Sequence, residues 1–371
     1  MNKLYHPDYQ KNCILGIPNS ILKHYGAVAH HNTLPVLDER LKKEYKNVVL
    51  LVLDGMGISA LNAHSPDGFL MKHCAAQLGS VYPCTTTSAL TTYETGLTPL
   101  EHGWLGWAMY FPEINKSVEL FTGKQSGTNV AATENNIVWD NIGFANLFEQ
   151  IKKVDSSIGC CRVSPFGEYW TDTNEAICAH LETLCKNDGR RYIYAYHFQP
   201  DNDMHRNGCN SERVKADIVL FDKQIEQLCA NLHDTLLIIT ADHGLTDVEE
   251  CLIEDYPEIN ECLYAVPTRE PRSLSFFVKP EFKEAFPARW NRHFADDFRL
   301  MTSEEAINSG IFGIGTPHKR LKDFLGDYVA LAIGKKMLWF RDEQGQASGH
   351  LAAHAGLLPD EVTVPLILIE R

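Results

Sequence analysis

The chain has 371 residues, of which 44% are hydrophobic and 22% are charged, and its formal net charge at pH 7 is −14. These values are typical of a globular protein with a substantial core. They disfavour a general nucleic-acid binder, because such proteins usually present a basic surface to the phosphate backbone.

The N-terminal residues and the cysteines predict a cellular location. The opening stretch MNKLYHPDYQKNCILG carries charges and a proline where a secretory signal peptide has a continuous apolar run. The 11 cysteines are scattered without a Cys-x-x-Cys pair, which is not typical of a disulfide framework. No uncharged apolar run of about 18 residues occurs. We therefore expect a cytoplasmic protein without a membrane span.

Short apolar runs predict buried strands, with helical patterns between them. The predicted strands cover residues 48–53, 192–196, 236–240, 328–333 and 364–369. The clearest helical pattern covers 211–232, where Val214, Ile218, Phe221, Ile225 and Leu228 recur at steps of three and four after Ser211 as N-cap. This alternation predicts an α/β fold with a mainly parallel central sheet and helices on both faces.

Two segments do not follow this alternation. Residues of about 103–140 mix aromatic, glycine and polar residues without a clear period, and about 250–325 is interrupted by prolines and charges. Long insertions on such sheets are usually lids or cap elements, although a structured lobe with a weak sequence pattern is an equal alternative. We expect a single catalytic domain over 1–371 that carries these two insertions.

Acidic residues directly follow two of the predicted strands. Asp54 follows the strand 48–53, and the pair Asp242 and His243 follows the strand 236–240, just before Gly244. Open α/β sheets bind ligands at the carboxyl ends of their strands, and carboxylates and imidazoles are common metal ligands. A strand-end aspartate by itself is often only a cap, but the two motifs together favour a metal site.

A third group of polar residues follows the strand 192–196. Asp201 and His205 stand four residues apart, so one helical turn would place both on the same face, within reach of one cation. On that geometry Asp203 points elsewhere, as a solvated or supporting carboxylate. His197 is expected to pack near the strand and not to bind metal.

Two histidines near the C-terminus are further candidates for metal ligands. His350 and His354 also stand four residues apart. Both could bind metal, or one could lie on the surface, and the spacing alone does not choose between them.

A hydroxyl-rich segment contains the candidate nucleophile. Residues 83–96, PCTTTSALTTYETG, predict a helix that begins in the hydroxyl cluster and ends at Gly96. The N-terminus of a helix offers free N–H groups and a positive dipole end, which favour a bound phosphate. Runs of Thr and Ser usually serve as caps or solvated surface, and a threonine hydroxyl is a weak nucleophile unless a metal or base activates it.

In their order along the chain, these motifs resemble the type I phosphodiesterase/nucleotide pyrophosphatase family of the alkaline phosphatase superfamily. The resemblance rests on Leu-Asp54-Gly, Tyr-Pro83-Cys-Thr-Thr86, Glu101-His102-Gly, Asp201-Asn-Asp-Met-His205, Ala-Asp242-His243-Gly and the run from His354 to Glu361. It extends over about residues 47–369, and chance agreement of so many ordered motifs is rare. It implies an alkaline phosphatase-like fold with inserted cap elements.

The resemblance also implies two divalent metal ions, commonly zinc, and the same ligand types accept manganese. One ion would bind Asp54, Asp242, His243 and the Thr86 oxygen, and the other Asp201, His205 and His354. Thr86 is preferred over its neighbours because it stands ten residues before Gly96, as the family nucleophile does before its Thr-Gly glycine. His354 is preferred over His350 by its place before the Gly-Leu-x-Pro segment, and His102 is expected to be structural.

The implied activity is hydrolysis of phosphate esters, with Thr86 as the nucleophile. Two dications about 3.5–4 Å apart can bind both the attacking and the leaving oxygen of an in-line displacement. A phosphodiesterase or nucleotide pyrophosphatase is favoured. The alternatives are a phosphomonoesterase or phosphonate hydrolase, a phosphomutase, and a catalytically silent metal-binding protein. The expected partner is a small phosphate ester or nucleotide, and the oligomeric state stays open.

Aromatic residues after the Glu-His-Gly turn bear on the substrate. Trp104, Trp107, Tyr110 and Phe111 follow this turn directly. They can stack on a nucleobase, or they can form the core of the inserted lobe. The sequence does not distinguish these two alternatives.

Overall fold

The computed structural model describes residues 5–341 and 345–371. Residues 1–4, part of the segment on which the cytoplasmic prediction rests, lie outside these ranges, and the cytoplasmic location stays a prediction. The strands are β1 (Asn47–Leu53), β2 (Cys74–Gly79), β3 (Ala108–Phe111), β4 (Lys116–Glu119), β5 (Gly159–Val163), β6 (Arg191–His197), β7 (Thr235–Thr240), β8 (Thr246–Asp247), β9 (Glu249–Leu252), β10 (Thr268–Glu270), β11 (Ser273–Phe276), β12 (Phe298–Thr302), β13 (Tyr328–Ala332), β14 (Lys336–Trp339), β15 (Ala352–Ala353) and β16 (Thr363–Glu370).

The helices connect and cover these strands. They are α1 (Gly16–His24), α2 (Pro35–Leu41), α3 (Ile58–His64), α4 (Phe69–Lys72), α5 (Thr86–Thr95), α6 (Pro99–His102), α7 (Ile137–Ile142), α8 (Leu147–Val154), α9 (Asn174–Lys186), α10 (Asp201–Asn207), α11 (Glu212–Asn231), α12 (Pro257–Asn260), α13 (Phe286–Phe294), α14 (Ser303–Asn308), α15 (Leu321–Leu325) and α16 (Pro359–Val362). Short 3-10 helices cover Ile253–Asp255 and Pro280–Phe282.

Within the described ranges, the central sheet has six strands in the order β2-β16-β7-β1-β6-β5. Strands β5, β6, β1 and β7 run parallel, whereas β16 is antiparallel to both β7 and β2. The strands predicted at 48–53, 192–196, 236–240 and 364–369 correspond to β1, β6, β7 and β16. The prediction of a mainly parallel central sheet is therefore confirmed.

Apolar sequence on both faces explains why these strands lie inside the protein. Every residue of β1, NVVLLVL, is buried, as expected for a strand covered by helices on both sides. The helices form two groups, with α1 contacting α2, α5 and α8, and α11 contacting α3, α4, α9 and α10. Helix α11 confirms the prediction at 211–232, since the Ser211 side chain accepts a hydrogen bond from the Val214 N–H.

The carboxyl ends of β1, β6 and β7 meet at one edge of the central sheet. Val52 of β1 pairs with Thr240 of β7. The Asp54 N–H donates to the His197 carbonyl at 2.9 Å, and the Asp201 N–H donates to the Asp54 carbonyl at 3.0 Å. These bonds tie the segments that follow β1 and β6 to each other, so their polar side chains lie close together.

The two segments that interrupt the α/β pattern contribute to a second, antiparallel sheet in the order β12-β13-β11-β10-β3-β4. The strand predicted at 328–333 is β13, which belongs to this second sheet and not to the central one. Val329 and Leu331 pack into one hydrophobic cluster, while Ala330 and Ala332 pack into another on the opposite face. Because β13 is buried on both faces, its sequence is a continuous apolar run. Buried parallel strands have the same pattern.

Within residues 5–341 and 345–371, no helix combines the length and the apolar character that crossing a bilayer requires.

Candidate active site

Thr86 begins helix α5, at the end of a loop that follows β2. Thr85 is the extended N-cap residue, and Gly96 ends the helix with a left-handed φ of 76°, which confirms the helix predicted from the hydroxyl cluster to Gly96. The Thr86 Oγ1 lies 3.4 Å from Asp54 Oδ2 and 3.3 Å from His243 Nε2. The structure thus brings the predicted nucleophile to the strand-end carboxylate and imidazole.

Asp54, Asp242 and His243 form a buried group whose ligand atoms all lie within 4.8 Å of one another. His243 Nε2 is 3.4 Å from Asp54 Oδ1 and 3.3 Å from Asp242 Oδ2. Asp242 Oδ1 accepts the backbone N–H of Gly55 at 3.1 Å. The other oxygens, Asp54 Oδ1 and Asp242 Oδ2, are buried and accept no hydrogen bond from the residues that the structure describes, so both remain available to a bound cation.

Asp201, His205 and His354 form the second predicted group. Helix α10 places His205 Nε2 3.3 Å from Asp201 Oδ1, and His354 Nε2 lies 3.9 Å from the same oxygen. The His205 Nδ1 lies 2.7 Å from the Ala352 carbonyl, which orients Nε2 towards Asp201. The potential ligand atoms of Asp201, His243 and His354 also lie within 4.8 Å of one another. The two groups therefore adjoin through His243.

The three carboxylates of this cluster differ in the direction of their pKa shifts. Burial, followed by the nearby carboxylates of Asp242 and Asp201, raises the pKa of Asp54 well above its usual value. Burial also raises the pKa of Asp242, although His243 opposes the rise. Burial would raise the pKa of Asp201 too, but the neighbouring His205 outweighs it and the pKa is lowered. Buried carboxylates with unbonded oxygens beside imidazoles fit a site for divalent cations.

Glycines allow the strand ends to approach one another. Gly55 has a left-handed φ of 72°, and a Cβ there would lie 2.8 Å from the Asp201 Cα. Gly244 directly follows His243, and its backbone is not left-handed. Instead, a Cβ at Gly244 would lie 2.2 Å from the Asp360 carbonyl oxygen, so this glycine is required by close packing.

Three residues predicted to lie outside the metal groups do so. His102 Nδ1 accepts the Trp104 N–H at 3.0 Å, so this ring is structural. His197 is buried against Phe221 with ring centroids 5.2 Å apart. Asp203 accepts a hydrogen bond from Arg213 Nε at 2.7 Å and belongs to neither group of potential ligands among the described residues.

His350, the alternative left open with His354, lies beside the cluster. Its ring centroid is 4.5 Å from that of His205, and it belongs to neither group of potential ligands found among the described residues. His354 belongs to one of these groups, whereas His205, like His350, belongs to neither of those found among the described residues, so the assignment of His205 and His354 as ligands stays a proposal below.

Three further residues contact the candidate ligands or the loop that carries one of them, and the sequence did not assign them this role: Tyr196, Arg272 and Glu361. The Tyr196 hydroxyl donates a hydrogen bond to Asp54 Oδ2. Arg272 binds both oxygens of Glu361 at 2.7 and 2.8 Å, and both side chains are fully buried. Glu361 also accepts the Gly356 N–H at 2.8 Å, so it holds the loop that carries His354. The sequence feature that could have indicated this role is the position of Glu361 at the end of the C-terminal motif, which resembles that of the family.

Glu270 connects this site to a cavity, and the sequence contained no signal for it. Its Oε1 accepts hydrogen bonds from Thr85 Oγ1 and from the Trp107 N–H, both at 2.6 Å. The preceding residue, Arg269, has a φ of 83°, a conformation that costs a non-glycine residue on the order of 1–3 kcal/mol. Burial raises the pKa of Glu270, whereas hydrogen bonds and the nearby His243 lower it to a smaller extent.

The four aromatic residues at 104–111 were predicted either to form the core of the inserted lobe or to stack on a ligand, and the structure places two of them in each position. Trp104 and Phe111 are buried in a hydrophobic cluster of the second sheet. Trp107 is 41% exposed, and both Trp107 and Tyr110 line a cavity of about 510 Å³. Two of the four residues are therefore core, and two face a space that a ligand can occupy.

Known proteins resemble this chain in sequence and in fold. Ectonucleotide pyrophosphatase/phosphodiesterase family member 3 of Rattus norvegicus is 22% identical over 299 residues, covering 70% of this chain and 30% of that protein. The chain thus spans about 30% of the length of the curated relative it matches.

Solved structures show the same fold at low identity. Murine ectonucleotide pyrophosphatase/phosphodiesterase 5 is 16% identical with a TM-score of 0.67, covering 87% of this chain and 88% of that one. An inactive threonine-to-alanine variant of that murine protein, solved in complex with AMP, is 16% identical with a TM-score of 0.61, covering 86% and 87%. Phosphonoacetate hydrolase from Sinorhizobium meliloti, in complex with phosphonoformate, is 15% identical with a TM-score of 0.63, covering 86% and 89%.

These folds are alkaline phosphatase-like, which confirms the predicted fold class. A sequence profile described as type I phosphodiesterase/nucleotide pyrophosphatase matches residues 48–297, more than half of the chain. The chain therefore belongs to the type I phosphodiesterase/nucleotide pyrophosphatase family, a family of phosphoester hydrolases.

Proposed function

We propose that this protein hydrolyses phosphate diesters or pyrophosphates, with Thr86 as the nucleophile and two divalent cations in the adjoining ligand groups. The observation that carries the proposal is the position of Thr86 Oγ1, 3.4 Å from Asp54 and 3.3 Å from His243. A threonine hydroxyl beside two groups of metal-ligand type is the arrangement that can activate this weak nucleophile. The murine relative described as inactive after a threonine-to-alanine change gives the proposal further support.

The proposed ligands follow the two groups. Asp54, Asp242, His243 and the Thr86 oxygen would hold one cation, and Asp201, His205 and His354 the other. These oxygen and nitrogen donors suit zinc and also accept manganese. When bound, the pair of cations supplies positive charge that favours the ionised threonine and neutralises the leaving oxygen.

The reaction proceeds in two displacements on this proposal. The Thr86 Oγ1 loses its proton and forms a bond to phosphorus, while the bond from phosphorus to the leaving oxygen breaks and that oxygen takes up a proton. A water molecule then attacks the phosphothreonine, releases the phosphoryl product and returns Thr86 to its hydroxyl form. The extended Thr85 and the free N–H groups at the start of helix α5 orient the phosphoryl oxygens.

A substrate panel tests this function. The purified protein, with its metal content measured, is assayed on bis-nitrophenyl phosphate, nitrophenyl phosphate, a nucleotide pyrophosphate and a phosphonate. A ratio of kcat/KM that favours the diester and pyrophosphate supports the proposal. Preferential turnover of the monoester or the phosphonate would replace it by the corresponding alternative, and an isomerised sugar phosphate without free phosphate would indicate a mutase.

Substitution of Thr86 tests the nucleophile. Thr86→Ala should reduce kcat by about 10³-fold or more, as removal of other covalent nucleophiles does, and Thr86→Ser should retain more activity than Thr86→Ala because it keeps a hydroxyl. Metal content should stay near that of the wild type in both variants, since the carboxylates and imidazoles remain. Near-normal turnover by Thr86→Ala contradicts the assignment. The matched control is Thr87→Ala, because the Thr87 hydroxyl has no hydrogen-bond partner within residues 5–341 and 345–371.

The chain is further proposed to act as one catalytic unit. The second sheet contributes Glu270 through β10, and the central sheet contributes the ligands that follow β1, β6 and β7. Because Glu270 binds Thr85, next to the proposed nucleophile, residues from both sheets meet at the site.

A further inference from the structure

The hydroxyl of Thr85 does not cap helix α5, although Thr85 occupies the N-cap position. An N-cap threonine usually turns its side-chain oxygen to an N–H group in the first turn of the helix. Thr173 caps α9 in this way by accepting a hydrogen bond from the Ala176 N–H, and Thr302 caps α14 likewise. Thr85 has the extended backbone of such a residue, with φ −140° and ψ 152°, but its side chain accepts no hydrogen bond from α5.

Glu270 holds the Thr85 hydroxyl in another direction. Thr85 Oγ1 donates a hydrogen bond to Glu270 Oε1 at 2.6 Å. Thr85 is 1% exposed and Glu270 is 6% exposed, so this contact is shielded from bulk water. The buried carboxylate therefore keeps the side chain of the N-cap residue turned away from the helix that it precedes.

The second sheet fixes the position of Glu270. Glu270 lies in β10 and pairs with Ser273 of β11. The same oxygen that binds Thr85 also accepts the Trp107 N–H at 2.6 Å. A Cβ at the preceding residue, Gly106, would lie 2.8 Å from the Arg269 Cα, so these two segments pack closely. The acceptor for Thr85 is thus held by the backbone of a different sheet.

The first N–H groups of α5 are free beside the proposed nucleophile. The first backbone hydrogen bond at this end runs from the Ala89 N–H to the Thr85 carbonyl at 3.0 Å. Within residues 5–341 and 345–371, three earlier N–H groups of the helix have no acceptor, those of Thr86, Thr87 and Ser88. Thr86 Oγ1 lies 3.4 Å from Asp54 and 3.3 Å from His243, so this helix start adjoins the ligand groups. Free N–H groups at the positive end of a helix can bind phosphoryl oxygens.

We propose that Glu270 is a positioning residue that keeps the start of α5 open for a phosphoryl group, by binding the hydroxyl of Thr85 that would otherwise cap the helix. Without this acceptor, rotation about the Cα–Cβ bond of Thr85 would bring Oγ1 to the N–H of Ser88, the third residue of α5. The phosphoryl oxygens would then compete with a side chain of the protein. This inference rests on the proposed phosphoesterase function, because it places the phosphoryl group beside Thr86.

Binding of inorganic phosphate tests the inference without turnover. The metal-loaded protein and its variants, with their metal contents measured, are titrated with phosphate by calorimetry. Glu270→Gln and Glu270→Met are both neutral and close to glutamate in size, and only glutamine keeps an acceptor oxygen for Thr85. We expect Glu270→Met to bind phosphate about tenfold more weakly than Glu270→Gln, the effect of about one hydrogen bond to a charged group.

Removal of the Thr85 hydroxyl separates this role from a general structural one. Addition of Thr85→Val to Glu270→Met should restore the affinity to that of Glu270→Gln, because valine cannot cap the helix. Thr85→Val alone, which needs no change at Glu270, should bind phosphate more tightly than Glu270→Met does. The matched control is Glu119→Met, because Glu119 lines the same cavity and binds Thr122 instead of Thr85. This control should keep the wild-type affinity.

Three results would overturn the inference. The first is equal phosphate affinity of Glu270→Gln and Glu270→Met. The second is a double variant that binds phosphate as weakly as Glu270→Met, because Glu270 would then act on the fold and not through Thr85. The third is a tenfold loss in Thr85→Val alone, because the hydroxyl itself would then bind phosphate.

Ester hydrolysis reports the proposed function separately. The expected order of phosphate affinities, without hydrolysis of any ester by the wild type, would refute the proposed function and keep the inference. Hydrolysis that is lost in Thr86→Ala, together with equal phosphate affinities of Glu270→Gln and Glu270→Met, would do the reverse.

Discussion

His243 and His354 lie face to face, with ring centroids 3.8 Å apart and an angle of 24° between their planes. His243 belongs to the group with Asp54 and Asp242, whereas His354 Nε2 lies 3.9 Å from Asp201. The stacked rings therefore join the two ligand groups into one cluster. Burial, followed by the neighbouring His243, lowers the pKa of His354, which favours the neutral imidazole that a metal ligand requires.

Asp54→Asn should have opposite effects on the metal-free and the metal-loaded protein. Burial and neighbouring carboxylates raise the pKa of Asp54, so its ionised form destabilises the metal-free fold at neutral pH, and removal of the charge should raise Tm. Zinc or manganese at about 100 times its Kd should stabilise the wild type by about 2.7 kcal/mol, and the variant by less. Thermal melts with metal analysis measure both effects.

The matched control for this experiment is Asp203→Asn. Asp203 binds Arg213 and not the cluster, so the variant should keep the metal content of the wild type. If metal stabilises Asp54→Asn as strongly as the wild type, Asp54 is not a ligand.

Glu361→Gln should strongly destabilise the protein. Arg272 and Glu361 are both fully buried and doubly hydrogen-bonded, and removal of one partner leaves a buried charge without compensation, at about 3–5 kcal/mol. The free energy of unfolding, measured by urea denaturation, reports the loss. The double variant Arg272→Met with Glu361→Leu should recover part of it. A loss below about 1 kcal/mol in the single variant would show that the pair does not stabilise the fold.

Gly244→Ala should reduce both stability and metal affinity. The added Cβ would lie 2.2 Å from the Asp360 carbonyl oxygen, so the backbone that carries His243 must shift, at about 1–3 kcal/mol for overpacking. Gly159→Ala is the control, because its Cβ would meet its nearest neighbour, the Arg191 Cβ, at an ordinary 3.4 Å. Denaturation and zinc titration of the two variants should differ. Equal stability of both variants would refute the packing argument.

His102 should make the protein less stable in acid. Burial lowers the pKa of His102 to about 3, below its value of about 6.5 in the unfolded chain. Between these values the unfolded state binds more protons, so the free energy of unfolding falls as pH decreases from 6.5 towards 3, by at most about 1.4 kcal/mol per pH unit. Replacement by glutamine should flatten this slope in a pH series of denaturation curves. An unchanged slope would assign the acid sensitivity to other groups.

The sequence by itself determined the strands of the central sheet that precede the proposed ligands, the helix that begins at the proposed nucleophile and the order of the motifs along the chain. Continuous apolar runs predict buried strands, and carboxylates that directly follow such strands lie at their carboxyl ends. Asp54 and Asp242 could therefore be placed from local pattern alone. Asp201 and His205 could be paired for a similar reason, since a spacing of four residues sets their distance within one helical turn.

The tertiary structure decided which distant residues meet. The pattern of β13 is the same for a parallel strand and for an antiparallel strand buried on both faces, so its sheet was not predictable from its residues. Tyr196, Glu270 and Arg272 act through side chains whose partners lie far away in sequence. Their roles depend on strand register and on the packing of the second sheet against the first, which are long-range properties that no local periodicity encodes.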